Sequence, residues 1–333
     1  MSSNLEYRAW RVHERNGEYV GGVETCGIED LPDNDVLVRV SHSSLNYKDA
    51  LSASGNKGVT RSFPHTPGID AAGEVVEEGP ANNPARGHQV IVTGYDLGMN
   101  TPGGFGEYIR VPENWCVPMP AAWDPRHAMI YGTAGLTAGL CVKKLLTMGA
   151  KPEQGKVAVT GASGSVGSVA VELLSHLGFD VVAISGKDEL AGELKGLGAH
   201  EVRGRDALSV EKRPLLRPEY AAAVDTVGGG ALTELLKRIQ PGGSVACCGL
   251  VAGTDLPTTV LPFILRGVNL LGVDSVEISR EEKQDIWSRL SGPWACRHTE
   301  ASARSIGKGD LDEALKAFLE GRSHGKIVLD HAL

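Results

Sequence analysis

The stretch Val159-Thr160-Gly161-Ala162-Ser163-Gly164-Ser165-Val166-Gly167 has the residue types and spacing best suited to gripping an anion. A diphosphate needs backbone N–H groups at a helix N-terminus and a turn free of bulky side chains. Gly164 removes the Cβ that would block the approach, and Gly167 lets the following helix sit close to the preceding strand. Ala162 stands where the usual fingerprint has its first Gly. Ser163, Gly164, Ser165 and Val166 are the expected diphosphate contacts. About 20 residues later a second strand ends in Ser185-Gly186-Lys187, with Asp188 one step further. A site for NAD offers an acid to the ribose 2′-OH, whereas a site for NADP avoids that charge and supplies a cation. Ser185, Gly186 and Lys187 therefore favour NADPH, each charge-assisted bond to a 2′-phosphate contributing about 1.5–3 kcal/mol. The plainer alternative is a tight turn from strand to helix with a solvated Lys187.

These residues need an α/β framework to place them. From residue 156 the pattern is strand 156–160, the Gly-rich turn, an amphipathic stretch to His176, strand 181–185 and helix 188–197. Further strands are expected at 221–225, 244–248 and 270–273, with a helix at 231–239. Near-continuous apolar strands alternating with helices imply a parallel sheet covered on both faces. The first 120 or so residues differ, with short β-like runs at 35–43, 72–78, 88–93 and 105–111 separated by Gly and Pro. Asp124-Pro125 reads as an N-cap with Pro at the first helical position, opening one helix that runs to Met148 before Gly149. Helices at 280–290 and 310–319 and a closing strand at 326–329 complete the chain, the strand rejoining the first domain.

Composition narrows the functional classes. With 33 Lys and Arg against 41 Asp and Glu, the net charge is −8 and no run of like charge stands out, which argues against a nucleic-acid or membrane-surface protein. No apolar run reaches the roughly 20 residues of a membrane span, and the opening MSSNLEYRAWRVHERNGE lacks an apolar signal core. Six scattered Cys without a CxxC pair are expected to be reduced, buried thiols of a soluble cytoplasmic protein.

Several segments together resemble the medium-chain dehydrogenase/reductase superfamily, and within it the zinc-independent YhdH/YhfP-type quinone oxidoreductase-like branch that includes acrylyl-CoA reductases. They are SSLNYKDAL (43–51), FPHTPGIDAAGEV (63–75), YGTAGLTAG (131–139), VTGASGSVGS (159–168), DTVGG (225–229) and CGLVAGTDLPTTVLPFILRGVNLLGVDSV (248–276). The resemblance implies a GroES-like β-rich catalytic domain at 1–125, completed by about 277–333, and a Rossmann NADPH-binding domain with a doubly wound parallel sheet at 126–276. Zinc members place a Cys in the first segment and a His-Glu pair in the second. Here Asn46 and Ile69-Asp70 occupy those places, so no zinc is expected. Alcohol oxidation is hard without a Lewis acid, whereas an activated C=C accepts hydride directly.

The implied reaction is hydride transfer from NADPH to the β-carbon of a small α,β-unsaturated acyl-CoA, with Asn46, Tyr47 and Asp49 beside the nicotinamide. In this reading Asn46 donates an N–H to the developing oxygen charge, Tyr47 packs on the cofactor or donates a proton, and Asp49 orients neighbours. Family resemblance adds Arg205 as a second 2′-phosphate contact, and Leu250, Ile264 and Ser275 near the nicotinamide. Thr133 and Thr137 border the same cleft. Lys57 and Arg61 could meet CoA phosphates, and Lys326 could reach cofactor or substrate or be a solvated strand residue. A homodimer joined through an edge strand near 269–273 is also implied. Two readings compete: an NADPH-dependent quinone or alkenal reductase, and an NADPH-binding structural or sensor protein.

Overall fold

The structure, a computed structural model, describes residues 5–333; the first four residues of the opening segment lie outside it. The chain begins with an antiparallel hairpin of Glu6–Arg15 (β1) and Glu18–Gly27 (β2), closed by Asn16-Gly17 with φ of 55° and 84°. Asn-Gly tolerates these left-handed angles, so it suits a two-residue turn. Next come Val36–Ser44 (β3), Tyr47–Ala53 (α1), Asp70–Glu77 (β4), Gln89–Thr93 (β5), Tyr108–Val111 (β6) and Val117–Pro118 (β7). Pro125–Thr147 (α2) follows, opened by Asp124, whose carboxylate accepts from His127 N at 2.8 Å.

The α/β alternation then runs Val157–Thr160 (β8), Ser165–His176 (α3), Val181–Ile184 (β9), Ala191–Gly196 (α4), Glu201–Arg203 (β10), Tyr220–Asp225 (β11), Gly229–Leu236 (α5), Ile239–Cys247 (β12), Leu261–Arg266 (α6) and Asn269–Gly272 (β13). The closing elements are Arg280–Leu290 (α7), Arg297–Ser302 (α8), Arg304–Ile306 (β14), Leu311–Leu319 (α9) and Ile327–Asp330 (β15).

Two compact units result: residues 5–133 with 276–291 and 302–333, and residues 134–275 with 292–301. In the second unit a parallel sheet has the order β10-β9-β8-β11-β12-β13. β8 and β9 are buried at every residue, as strands covered on both faces must be. The strand order reverses between β8 and β11, which puts the topological switch point at the carboxyl end of β8, where open α/β sheets bind ligands. Residues 292–301, expected with the first domain, cluster here instead. The buried Glu172 of α3 explains this, since its carboxylate accepts from His298 N, Thr299 N and Thr299 Oγ1 at 2.7–2.8 Å and so caps α8.

In the first unit a sheet runs β14-β15-β3-β4-β5-β7, with β6 also paired to β3. Val36, Val38, Val75, Val90, Val92 and Ile109 fill the space within it, all fully buried. The chain's last strand, β15, pairs antiparallel with β3, Val328 opposite Ser44. The expected single helix from 124 to 148 is interrupted at Gly132, where φ is 47° and ψ −157°. A Cβ there would lie 2.7 Å from Asp70 Oδ2, so Gly allows both the bend and the close approach. Four cysteines are buried and Cys247 and Cys248 are half-buried; all six are free thiols.

Candidate active site

In the second unit the turn after β8 is made by Gly161, at φ 59°, rather than by Ala162. Ala162 is fully buried and donates its N–H to Ile184 O at 3.1 Å. The working pattern is thus Gly161, Gly164 and Gly167. A Cβ on Gly167 would sit 2.2 Å from Gly161 O, so this position keeps α3 against the turn. A Cβ on Gly164, the N-cap of α3, would meet only Gly161 O at 3.2 Å. The space above Gly164 is open to a ligand, and the first turn of α3 carries no acid to repel a diphosphate. Ser165 and Val166 lie in that first turn, half-buried.

Beside this turn the structure gathers the other polar residues. Ser163 Oγ and Ser185 Oγ are 2.9 Å apart, and Ser185 Oγ accepts from Lys187 N at 3.1 Å. The Arg205 side chain lies flat against Gly186, where a Cβ would stand 2.0 Å from its Nε. Burial lowers the Lys187 pKa from its ordinary value; Glu189 opposes the shift and Arg205 adds to it. Two cations that repel each other beside a serine hydroxyl make a good cradle for a phosphate dianion.

The remaining residues of this unit fall into two groups. Thr137 Oγ1 donates to Ser275 Oγ at 2.8 Å, both buried. Leu250 and Ile264 are exposed, at 59% and 69%. Leu250 follows β12 and lies against Gly228; Ile264 lies on α6.

In the first unit a different constellation centres on Asp70, the fully buried first residue of β4. Its Oδ2 accepts from Ser44 Oγ, from Asn46 Nδ2 at 2.8 Å and from Thr133 N at 2.9 Å. Its Oδ1 accepts from Thr133 Oγ1 at 2.6 Å. The break at Gly132 frees the Thr133 N–H from the helix ladder and turns it toward Asp70. Thr133, expected near the cofactor, commits both donors to this carboxylate.

Asn46 caps α1 and is 8% exposed. Its amide nitrogen faces Asp70 and Ser44 Oγ, the latter at 3.2 Å, because an acceptor-only carboxylate requires the NH2 side of the carboxamide. The expectation that Asn46 donates to a substrate oxygen is therefore corrected: the other end of the amide is a carbonyl oxygen, an acceptor. Tyr47, 37% exposed, stands at the start of α1. Asp49 is fully buried and accepts from Asn46 N and Ile69 N, each at 2.8 Å. Burial, reinforced by the Asp70 charge and opposed by those two N–H groups, raises its pKa to about 7.

Lys326 is not a solvated strand residue. It is 2% exposed and donates to Tyr131 O at 3.1 Å. Burial lowers its pKa to about 8, and the nearby Asp70 charge opposes the shift. Lys57 is bound to Glu14 at 2.9 Å and lies 4.8 Å from the Phe63 ring centroid, while Arg61 is exposed.

Sequence reasoning missed Ser44, Asp70 and Gly132 as site residues. The buried acid in PGIDAAGEV was read only as a departure from a zinc pattern. The residues there do not suit a divalent ion: Asn46 is neutral, Ile69 is apolar and Asp70 is fully engaged with hydrogen-bond donors. Among the described residues no group of three or more His, Cys, Asp or Glu could hold a metal.

Comparison with known proteins adds the following. The alcohol dehydrogenase GroES-like domain family matches residues 32–121, and the zinc-binding dehydrogenase family matches 165–291. The acrylyl-CoA reductase AcuI of Ruegeria pomeroyi is 41% identical over 318 residues, 95% of this chain and 96% of that protein. YhfP of Bacillus subtilis, carried under a quinone oxidoreductase name, is 43% identical over 321 residues, 95% and 96% of the two chains. A crystal structure of Escherichia coli YhdH with bound NADPH superimposes with a TM-score of 0.92 at 43% identity, covering 97% of this chain and 99% of that one. The structure of B. subtilis YhfP with NAD bound gives a TM-score of 0.94 at 40% identity, covering 98% and 100%.

Proposed function

This chain belongs to the quinone oxidoreductase and acrylyl-CoA reductase-like family of medium-chain dehydrogenases/reductases, and on that premise we propose that it is an NADPH-dependent reductase of the C=C bond in a small α,β-unsaturated acyl-CoA, working without zinc. The observation that carries the cofactor choice is the grouping of Ser185, Lys187 and Arg205 around Gly186. One relative has NADPH bound and another NAD, and this grouping of cations favours the phosphorylated form here.

When bound, NADPH would supply a hydride from its nicotinamide C4. Ser163 to Val166 hold the diphosphate with backbone N–H groups, and Ser185, Lys187 and Arg205 hold the 2′-phosphate. Asp70 orients Asn46, whose carbonyl oxygen accepts from a donor on substrate or cofactor. The Tyr47 hydroxyl, on the exposed side of α1, is the group left to donate a proton or to stabilise enolate charge.

A second reading, a quinone or alkenal reductase, draws support from Lys57. Its ammonium is tied to Glu14 and two aromatic rings rather than free for CoA phosphates. We also propose a homodimer through the open edge of β13, beside the exposed Val260, Ile264 and Leu265. Light scattering giving the mass of one chain would overturn it.

The decisive assay gives the purified protein NADPH with acrylyl-CoA, a simple quinone and an alkenal in turn, following cofactor absorbance. Turnover confined to the thioester is the expected result. Turnover of the quinone or alkenal alone supports the second reading, and binding without turnover of any would overturn both in favour of a sensor.

A further inference from the structure

The buried lysine at the foot of the last strand has no part in the scheme above. Lys326 lies just before β15, yet its ammonium reaches the carbonyl of Tyr131, the residue preceding the Gly132 break. That break is what presents Thr133 N and Oγ1 to Asp70, and Asp70 in turn fixes the Asn46 amide. One ammonium thus sits at the start of a chain of contacts running Tyr131, Thr133, Asp70, Asn46. A buried cation far from water needs compensation, and the charge acting on this one is Asp70.

We propose that Lys326 is a positioning residue of the active site: its ammonium pins the Tyr131 carbonyl and faces the Asp70 charge, holding the helix break so that Asp70 receives Thr133 and orients Asn46. This rests on the reductase reading for its kinetic consequence, though not for its structural one. The charged group acting on this lysine is Asp70, at the head of β4. With its pKa lowered to about 8 by burial, Lys326 loses its proton in mildly alkaline solution. The pin then has no charge to offer Asp70.

Two substitutions test this in the whole protein. Lys326→Met keeps the length and removes the charge; its kcat is expected to fall at least tenfold at pH 7 while NADPH affinity stays within threefold. The wild-type kcat is expected to decline above about pH 8. Lys326→Arg, which stays charged, should recover most of the kcat lost in Lys326→Met and abolish that alkaline decline. An alkaline decline that persists with Arg, or wild-type kcat with Met, would overturn the proposal. A loss of NADPH affinity in Lys326→Met that matches the loss of kcat would make Lys326 a cofactor ligand and also overturn it.

A second measurement is independent of turnover. Hydrogen exchange in the cofactor-free protein should speed at least tenfold across residues 131–133 in Lys326→Met and stay near wild type in Lys326→Arg. Unchanged protection refutes the pin. If the wild type reduces none of the three electrophiles, the reductase reading fails while the exchange experiment still decides the role of Lys326.

Discussion

Adding one methyl group at Gly186 should change cofactor choice without touching a charged residue. A Cβ there would lie 2.0 Å from Arg205 Nε and 2.5 Å from its Cζ, whereas ordinary contact begins at 3.4 Å. The guanidinium must therefore withdraw by about 1.4 Å, which takes a bond of ordinary length to a 2′-phosphate out of hydrogen-bond range. Arg205 is an exposed, flexible side chain, so the fold should tolerate the change. Losing one charge-assisted bond costs about 1.5–3 kcal/mol, or roughly a tenfold to hundredfold weaker Kd. NADH lacks the 2′-phosphate and should weaken less than about threefold. Fluorescence titration of Gly186→Ala with both nucleotides reads this directly. Arg205→Ala should match it, and the double variant should be no worse than either single one, because both act on one contact. Equal weakening toward both nucleotides, or fully additive losses, would refute the assignment of Arg205 to the phosphate.

Other expectations follow from the same geometry. Asp70→Asn replaces an acceptor-only group with one that also donates, so it should lower kcat at least tenfold and melting stability by about 1–3 kcal/mol; wild-type turnover would remove Asp70 from the site. Glu172→Ala leaves the first turn of α8 without its cap and should cost about 1–3 kcal/mol in urea unfolding, with little change in NADPH affinity. The raised pKa of Asp49, about 7, means the folded protein holds that proton more tightly than the unfolded chain. Stability should therefore fall as pH rises from about 4 to about 7, by up to about 4 kcal/mol, and level off above. In Asp49→Asn this contribution disappears; parallel stability curves for the two proteins would refute the shift.

The second unit was largely legible because its signals are local. Buried strands such as VAVT and VVAI are continuously apolar, and glycines punctuate the turns between them. The first unit was harder to read because its decisive contacts join distant residues. Asp70 meets Ser44, Asn46 and Thr133, and nothing in the spacing of PGIDAAGEV says which of these it would meet. The same holds for Lys326, which could be read equally well as solvated until tertiary structure buried it. The Gly132 break was missed because helical periodicity continues on both sides of it, and a single Gly within such a pattern is commonly tolerated. The hairpin at 6–27 is different: Asn16-Gly17 between β-rich runs was a signal present in the sequence and overlooked.

The position of β15 bears on how the protein is made. The sheet of the first unit cannot close until residues 327–330 reach β3, yet β3 emerges from the ribosome long before them. At about 5–20 residues per second, the 200 residues that follow Thr133 take roughly 10–40 s. During that interval the β3 edge awaits its mate while the α/β unit, contributed almost entirely by the middle of the chain, is free to fold. Nascent chains truncated shortly before Lys326 should accordingly carry a protease-resistant centre and a protease-sensitive amino-terminal portion.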